Sequence, residues 1–149
     1  MKFIYSIVLI LGFNSIIIAQ GDFNPVEWQV EKISETDSEV EVAFTADIQK
    51  GWVIYSQETG EDGPIPTTFT FTPNKNIELV GNVVEKTEVT LGYDKMFEMQ
   101  VGKMKGQAVF VQKIKKKDAE TKLKGTITYM CCDNDKCLPP KDIVFSIDL

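Results

Sequence analysis

All three cysteines of this 149-residue chain fall within one short run, Tyr129-Met130-Cys131-Cys132-Asp133-Asn134-Asp135-Lys136-Cys137-Leu138-Pro139-Pro140. Cys132 and Cys137 close a C-x4-C loop, and Cys131 and Cys137 a C-x5-C loop. Either span can bring two Cα atoms within the roughly 4.4–6.8 Å that a disulfide needs. Thiol–disulfide exchange requires one thiolate that reaches a partner's disulfide and a second that resolves the mixed disulfide; a pair this close supplies both. Pro139-Pro140 stiffens the exit from the loop and removes two backbone donors, so the segment cannot simply continue a ladder. Asp133 and Asp135 raise the pKa of a neighbouring thiol and Lys136 lowers it. By spacing alone the pair is as compatible with a static staple as with a redox-active disulfide.

Other chemistries are narrowed by composition. The chain has no histidine, which removes His-based acid–base catalysis, Cys–His nucleophile pairs and most transition-metal sites. The cysteines together with Met96, Met99, Met104 and Met130 could suit Cu(I), but methionines of this kind are more often core or loop filler. Zinc would want a fourth ligand that three cysteines do not offer. Neither a metal nor an organic cofactor is therefore expected. The formal net charge of −6 leaves no electrostatic footprint for nucleic acid. The one basic cluster, Lys113 to Lys117, is followed by Asp118 and Glu120 and reads as a solvated strand end and turn.

The first nineteen residues differ in kind from the rest. Lys2 precedes an apolar run from Phe3 to Phe13, and Ile16-Ile17-Ile18-Ala19 leads into Gln20. This is the shape of a secretory signal cleaved near Ala19. Asn14 and Ser15 interrupt the run, which falls short of the ~20 apolar residues of a membrane span, so no stable membrane anchor is expected. Lys2 is the only charged residue removed, and the net charge moves from −6 to −7. Residues 20–149 then form one domain. An oxidising compartment normally pairs cysteines, and an odd count leaves one over.

The elements that must hold the cysteines are strands. Val26, Trp28 and Val30 alternate with polar residues, and Val40, Val42, Phe44 and Ala46 do so more cleanly. Short strands are predicted over 52–55, 67–71, 77–84, 86–91, 107–114 and 125–131, and a last one over 143–149. Residues 92–99 carry large apolar side chains without a regular period and read as a loop with something to bury. In the 125–131 strand, Ile127, Tyr129 and Cys131 share one face, while Thr126, Thr128, Met130 and Cys132 share the other. Eight or nine strands and no helix-period segment predict an all-β fold, an antiparallel β-sandwich of immunoglobulin-like type.

Four stretches carry a resemblance: Gly51-Trp52-Val53-Ile54-Tyr55-Ser56, Gly63-Pro64-Ile65-Pro66-Thr67, Tyr93-Asp94-Lys95-Met96-Phe97, and Cys132 through Pro140 with its Cys-Leu-Pro-Pro run. In this order they resemble the N-terminal (alpha) domain of the thiol:disulfide interchange protein DsbD. The resemblance implies a periplasmic immunoglobulin-like domain, a protein-disulfide reductase component linked to cytochrome c biogenesis. It further implies a disulfide that takes electrons from a membrane-embedded donor and passes them to periplasmic thioredoxin-like partners. By position, Cys137 resembles the cysteine that forms mixed disulfides and Cys132 its resolving mate. Tyr93 to Phe97 resembles the family's cap loop, whose aromatic residue covers the disulfide, so Tyr93, Asp94, Met96 and Phe97 become cap residues. For Phe97 the alternative is ordinary packing. Trp52, Tyr55 and Pro139 would lie near the site, although core roles suit Trp52 and Tyr55 equally well.

Two departures qualify the match. The family's better-known members have five residues between the cysteines, which matching from downstream would satisfy with Cys131. Cys132 is preferred because Cys131 falls on the Ile127/Tyr129 face, leaving Cys131 as a spectator or alternative thiol. The sequence also has no transmembrane or thioredoxin-like part, so donor and acceptors are expected in trans. The competing expectation is a non-enzymatic binding module whose disulfide staples one loop.

Overall fold

The computed structural model describes residues 23–117 and 120–149. The expected signal segment, residues 1–19, and residues 118–119 of the predicted 115–121 turn lie outside the described residues. The described residues form eleven strands and no helix. In chain order these are β1 (Val26–Glu35), β2 (Glu39–Ile48), β3 (Val53–Tyr55), β4 (Thr68–Phe71), β5 (Ile77–Glu85) and β6 (Thr90–Asp94). They continue with β7 (Met99–Met104), β8 (Gln107–Lys116), β9 (Lys122–Tyr129), β10 (Cys131–Cys132) and β11 (Lys141–Asp148). All pairings are antiparallel and give three sheets, ordered β1-β2-β8-β5, β11-β9-β4 and β10-β3-β7-β6.

Alternation explains how the first two sheets close on each other. In β2, Val40, Val42, Phe44, Ala46 and Ile48 are buried, because successive side chains of a strand point to opposite faces. Phe44 meets Phe69 of β4 at a ring-centroid distance of 4.9 Å and Phe145 of β11 at 5.0 Å. Trp28 of β1 reaches Tyr129 of β9 at 5.5 Å. Burying each such side chain is worth roughly 1.5–3 kcal/mol, so this aromatic layer, with the aliphatic residues of the same cluster, holds the sheets together. Gly125 is required in β9: a Cβ there would lie 2.3 Å from the Thr70 carbonyl oxygen and 2.8 Å from Phe145 Cζ.

The third sheet has two working faces. Ile54, Met104 and Cys131 point into the main core, whereas Tyr55, Val101 and Cys132 point the other way and form a smaller cluster of their own. Val53, Phe97, Met99, Met130 and Cys137 pack against that second cluster.

Some element bounds depart from the sequence expectation. The predicted loop at 92–99 is in large part a hairpin: β6 runs through Asp94, residues 95–98 turn, and β7 begins at Met99. Glu98 adopts φ 53° in that turn, a left-handed conformation that lets a four-residue connection reverse the chain. Residues 86–89 are not in a strand. The bend expected at Gly81-Asn82 is a register shift between Val80 and Val84 inside a continuous β5, with Gly81 at φ 69°. The predicted 125–131 strand ends at Tyr129, and Cys131 belongs to another sheet. The basic cluster is ion-paired, with Lys113 and Lys117 solvated and Lys116 largely covered: Lys113 pairs with Glu39 at 2.9 Å, Lys116 with Glu35, and Lys117 with Glu78 at 3.7 Å.

Candidate functional site

The two residues of β10 assign the cysteines to different environments. Cys131 lies opposite Ile54 and Cys132 opposite Val53 in β3, so their side chains leave the strand on opposite faces. Cys131 is 2% exposed and free. Burial pushes its thiol pKa up, with Lys141 opposing weakly, so at neutral pH it stays a protonated core thiol. Cys132 is 2% exposed on the face of the smaller cluster.

Asp133 folds the loop that brings Cys137 back. Its backbone N–H donates to the Lys136 carbonyl at 2.9 Å, and its Oδ1 accepts the N–H groups of Asp135 and Lys136, both at 2.8 Å. Those two donors hold the Asp133 carboxyl below the usual carboxylate range. Cys137 thereby becomes the antiparallel bridge partner of Cys132, and the two form a disulfide with Cα atoms 4.0 Å apart. Beyond the loop, the Leu138 N–H donates to the Cys131 carbonyl at 2.9 Å. Cys137 is partly exposed, and Pro139 and Pro140 are exposed.

The tip of the β6–β7 hairpin lies over this disulfide. Met96 Sδ is 3.7 Å from Cys137 Sγ. Phe97 packs edge-on against Tyr55, with centroids 6.0 Å apart and planes at 82°. Of the expected cap residues, the thioether of Met96 therefore touches the accessible sulfur, and Phe97 belongs to the cluster beneath. Tyr93 is exposed, whereas Asp94 is buried. Between the hairpin tip and the cysteine loop lies a cleft of about 180 Å³ bordered by Tyr93, Asp94, Met96, Lys103, Asp133 and Asn134.

Asp94 ties the tip down. Its Oδ1 accepts the Met96 N–H at 2.9 Å. Its Oδ2 accepts the Tyr55 hydroxyl at 3.0 Å and the Lys103 ammonium at 2.9 Å. Burial acts to raise the Asp94 pKa, but Lys103, the Met96 N–H and the Tyr55 hydroxyl together outweigh it and hold the carboxyl below its usual range. The same burial and the same carboxylate push the Tyr55 phenol pKa up. Lys103 was not among the residues singled out from sequence. Its signal is the alternation Met99, Val101, Lys103, which Gly102 and the charge itself obscure. Trp52 sits in the main core against Phe23, at 5.6 Å. With Asn134 of the cysteine loop it borders a groove of about 420 Å³. A larger groove, about 510 Å³, lies elsewhere, between β4 and β5, and holds no cysteine.

A β-sandwich of immunoglobulin type that presents a strand-edge disulfide under a hairpin tip defines a class, the thiol–disulfide interchange domains. The model of one family, "Thiol:disulfide interchange protein DsbD, N-terminal", matches residues 22–149, and the chain belongs to that family. Among solved structures, the fold is similar to the N-terminal periplasmic domain of ScsB from Proteus mirabilis, with a TM-score of 0.63 at 16% identity. That likeness covers 85% of this chain and 47% of the other, so this chain spans about half of the ScsB chain. It is also similar to the N-terminal domain of DsbD from Neisseria meningitidis in its reduced form, with a TM-score of 0.53 at 21% identity, covering 80% of this chain and 83% of that one. No curated protein sequence matches the chain. Among the described residues, no helix is long and apolar enough to cross a membrane.

Proposed function

We propose that this domain, residues 20–149 after removal of an export signal, is a periplasmic module that relays reducing equivalents through Cys132–Cys137. The observation that carries this reading is the unequal access to the two sulfurs: Cys132 is 2% exposed, while Cys137 is partly exposed. A thiolate of a reduced partner attacks Cys137 Sγ, the intramolecular S–S bond breaks, and Cys132 leaves as a thiolate that takes up a proton. The partner's second thiolate attacks its own sulfur in the mixed disulfide, and Cys137 is released as the partner becomes a disulfide. Run in reverse with an oxidised partner, the same steps pass two electrons onward. A membrane-embedded dithiol donor and periplasmic thioredoxin-like acceptors, all in trans, suit this chemistry, and exposed Tyr93 and Met96, which border the cleft beside the cysteine loop, offer apolar surface near the reacting sulfur.

The test is trapping from periplasmic extract. Cys132→Ala leaves Cys137 without its resolving mate and should accumulate reductant-sensitive adducts, whereas Cys137→Ala should accumulate none. The pair should show a reduction potential in the roughly −120 to −270 mV range of exchange proteins. A potential below roughly −300 mV with no adducts would instead indicate a stapled binding module, in which reduction costs about 2 kcal/mol of stability and leaves partner binding intact.

A further inference from the structure

We propose that the reduced Cys132–Cys137 pair, together with Met96, forms an all-sulfur site for a soft monovalent cation, with Cu(I) the expected ion. The observation behind it is the 3.7 Å separation of Met96 Sδ and Cys137 Sγ. Two sulfurs that share one metal ion at about 2.3 Å each lie at about this spacing. Cys132 completes the set: it is the antiparallel bridge partner of Cys137, with Cα atoms 4.0 Å apart in the disulfide form, so breaking the S–S bond frees a second thiolate beside that of Cys137.

The surroundings select the kind of ion. Thiolate and thioether ligands favour Cu(I) over harder ions. Both carboxylate oxygens of Asp94 are hydrogen-bonded within the hairpin and sheet, and Asp133 Oδ1 accepts two loop N–H groups. The chain has no histidine. Among the described residues no group of three or more His, Cys, Asp or Glu side chains could hold a metal ion, so a divalent ion wanting four such ligands finds none. Met99 and Met130 pack in the same cluster, which keeps the site's wall thioether-rich and apolar. Binding displaces the two thiol protons and involves no electron transfer at the metal. It occupies Cys137 Sγ, so metal binding and exchange exclude each other.

This site rests on the exchange reading only in requiring that the pair be reducible. The protein, reduced chemically and desalted without oxygen, is titrated with Cu(I) against a chromogenic Cu(I) chelator. Reduced protein should take up one Cu(I) per chain and lose its reactivity with a thiol-specific chromophore, while the disulfide form takes up none. Losing even an outer partner of a metal ligand typically costs 10- to 100-fold in affinity, so Met96→Leu should weaken binding by at least about tenfold. Cys131→Ala should bind as wild type. Wild-type affinity in Met96→Leu, or loss of binding in Cys131→Ala, overturns the assignment. A protein that traps partners but binds no Cu(I) loses only the metal site. One that binds Cu(I) through these three residues and traps nothing loses only the exchange reading.

Discussion

Cys132 and Cys137 are bonded to each other yet differ in exposure, and Met96 Sδ rests 3.7 Å from Cys137 Sγ. Met96 is itself held by Asp94, so a capping role for Met96 would link the reactivity of the disulfide to one buried carboxylate. The folded pKa of Asp94 is depressed. Its ionisation therefore contributes stability that is fully present above the unfolded value of about 3.9 and is lost as pH falls through the folded value. Reduction of the disulfide by a water-soluble phosphine, which does not need a thiolate, should show no cap loosening from neutral pH down to about pH 3.9 and should accelerate only below that, as the pH falls through the depressed folded value. In Asp94→Asn the rate should already be raised at pH 7, with the acid acceleration gone. An acid step that survives in Asp94→Asn would mean that another group holds the tip.

At the scale of elements, the segment over the disulfide is the tip of a hairpin rather than a loop, and β7 positions it. Gly102 lies where β7 passes the segment after β3: a Cβ would come within 2.6 Å of Val89 Cγ1 and 3.0 Å of Ser56 Cβ. Gly102→Ala should therefore cost about 1–3 kcal/mol by overpacking, measured by urea unfolding, and should speed phosphine reduction of the disulfide because Lys103 moves with the strand. Met96→Ala, at a position 47% exposed, should leave stability within about 0.5 kcal/mol of wild type while raising the reduction rate several-fold. The strands around the main core were legible because Val40, Val42, Phe44 and Ala46 repeat at period two. The hairpin was not: Gly102 and Lys103 break the apolar alternation of β7, and a salt bridge to Asp94 has no local sequence mark. The facing of the cysteines was legible, since Cys131 continues the Ile127/Tyr129 face. The switch of sheet at Met130 was not, because it depends on β3, some 75 residues earlier in the chain.

For the whole molecule, the decisive arrangement is the division of apolar side chains into two clusters on opposite faces of the β10-β3-β7-β6 sheet. Phe44 belongs to the cluster that holds the sandwich together, while Val101 belongs to the one beneath the disulfide. Phe44→Ala should lower the unfolding free energy by about 3–5 kcal/mol. It should leave the reduction potential unchanged, because the loss falls equally on oxidised and reduced forms. Val101→Ala should cost less in global stability, since its cluster is small. It removes a wall of the pocket that receives Cys132 and supports Phe97, so it should shift the potential and the reduction rate together. Distant sites without shared partners combine additively to within about 0.5 kcal/mol. The Phe44→Ala/Val101→Ala double variant should therefore show the summed stability loss and the potential of Val101→Ala alone. Equilibration with glutathione buffers gives the potentials and urea melts give the stabilities. A potential that moves with Phe44→Ala would make the two clusters one cooperative unit, and the sandwich would then tune the disulfide as well as carry it.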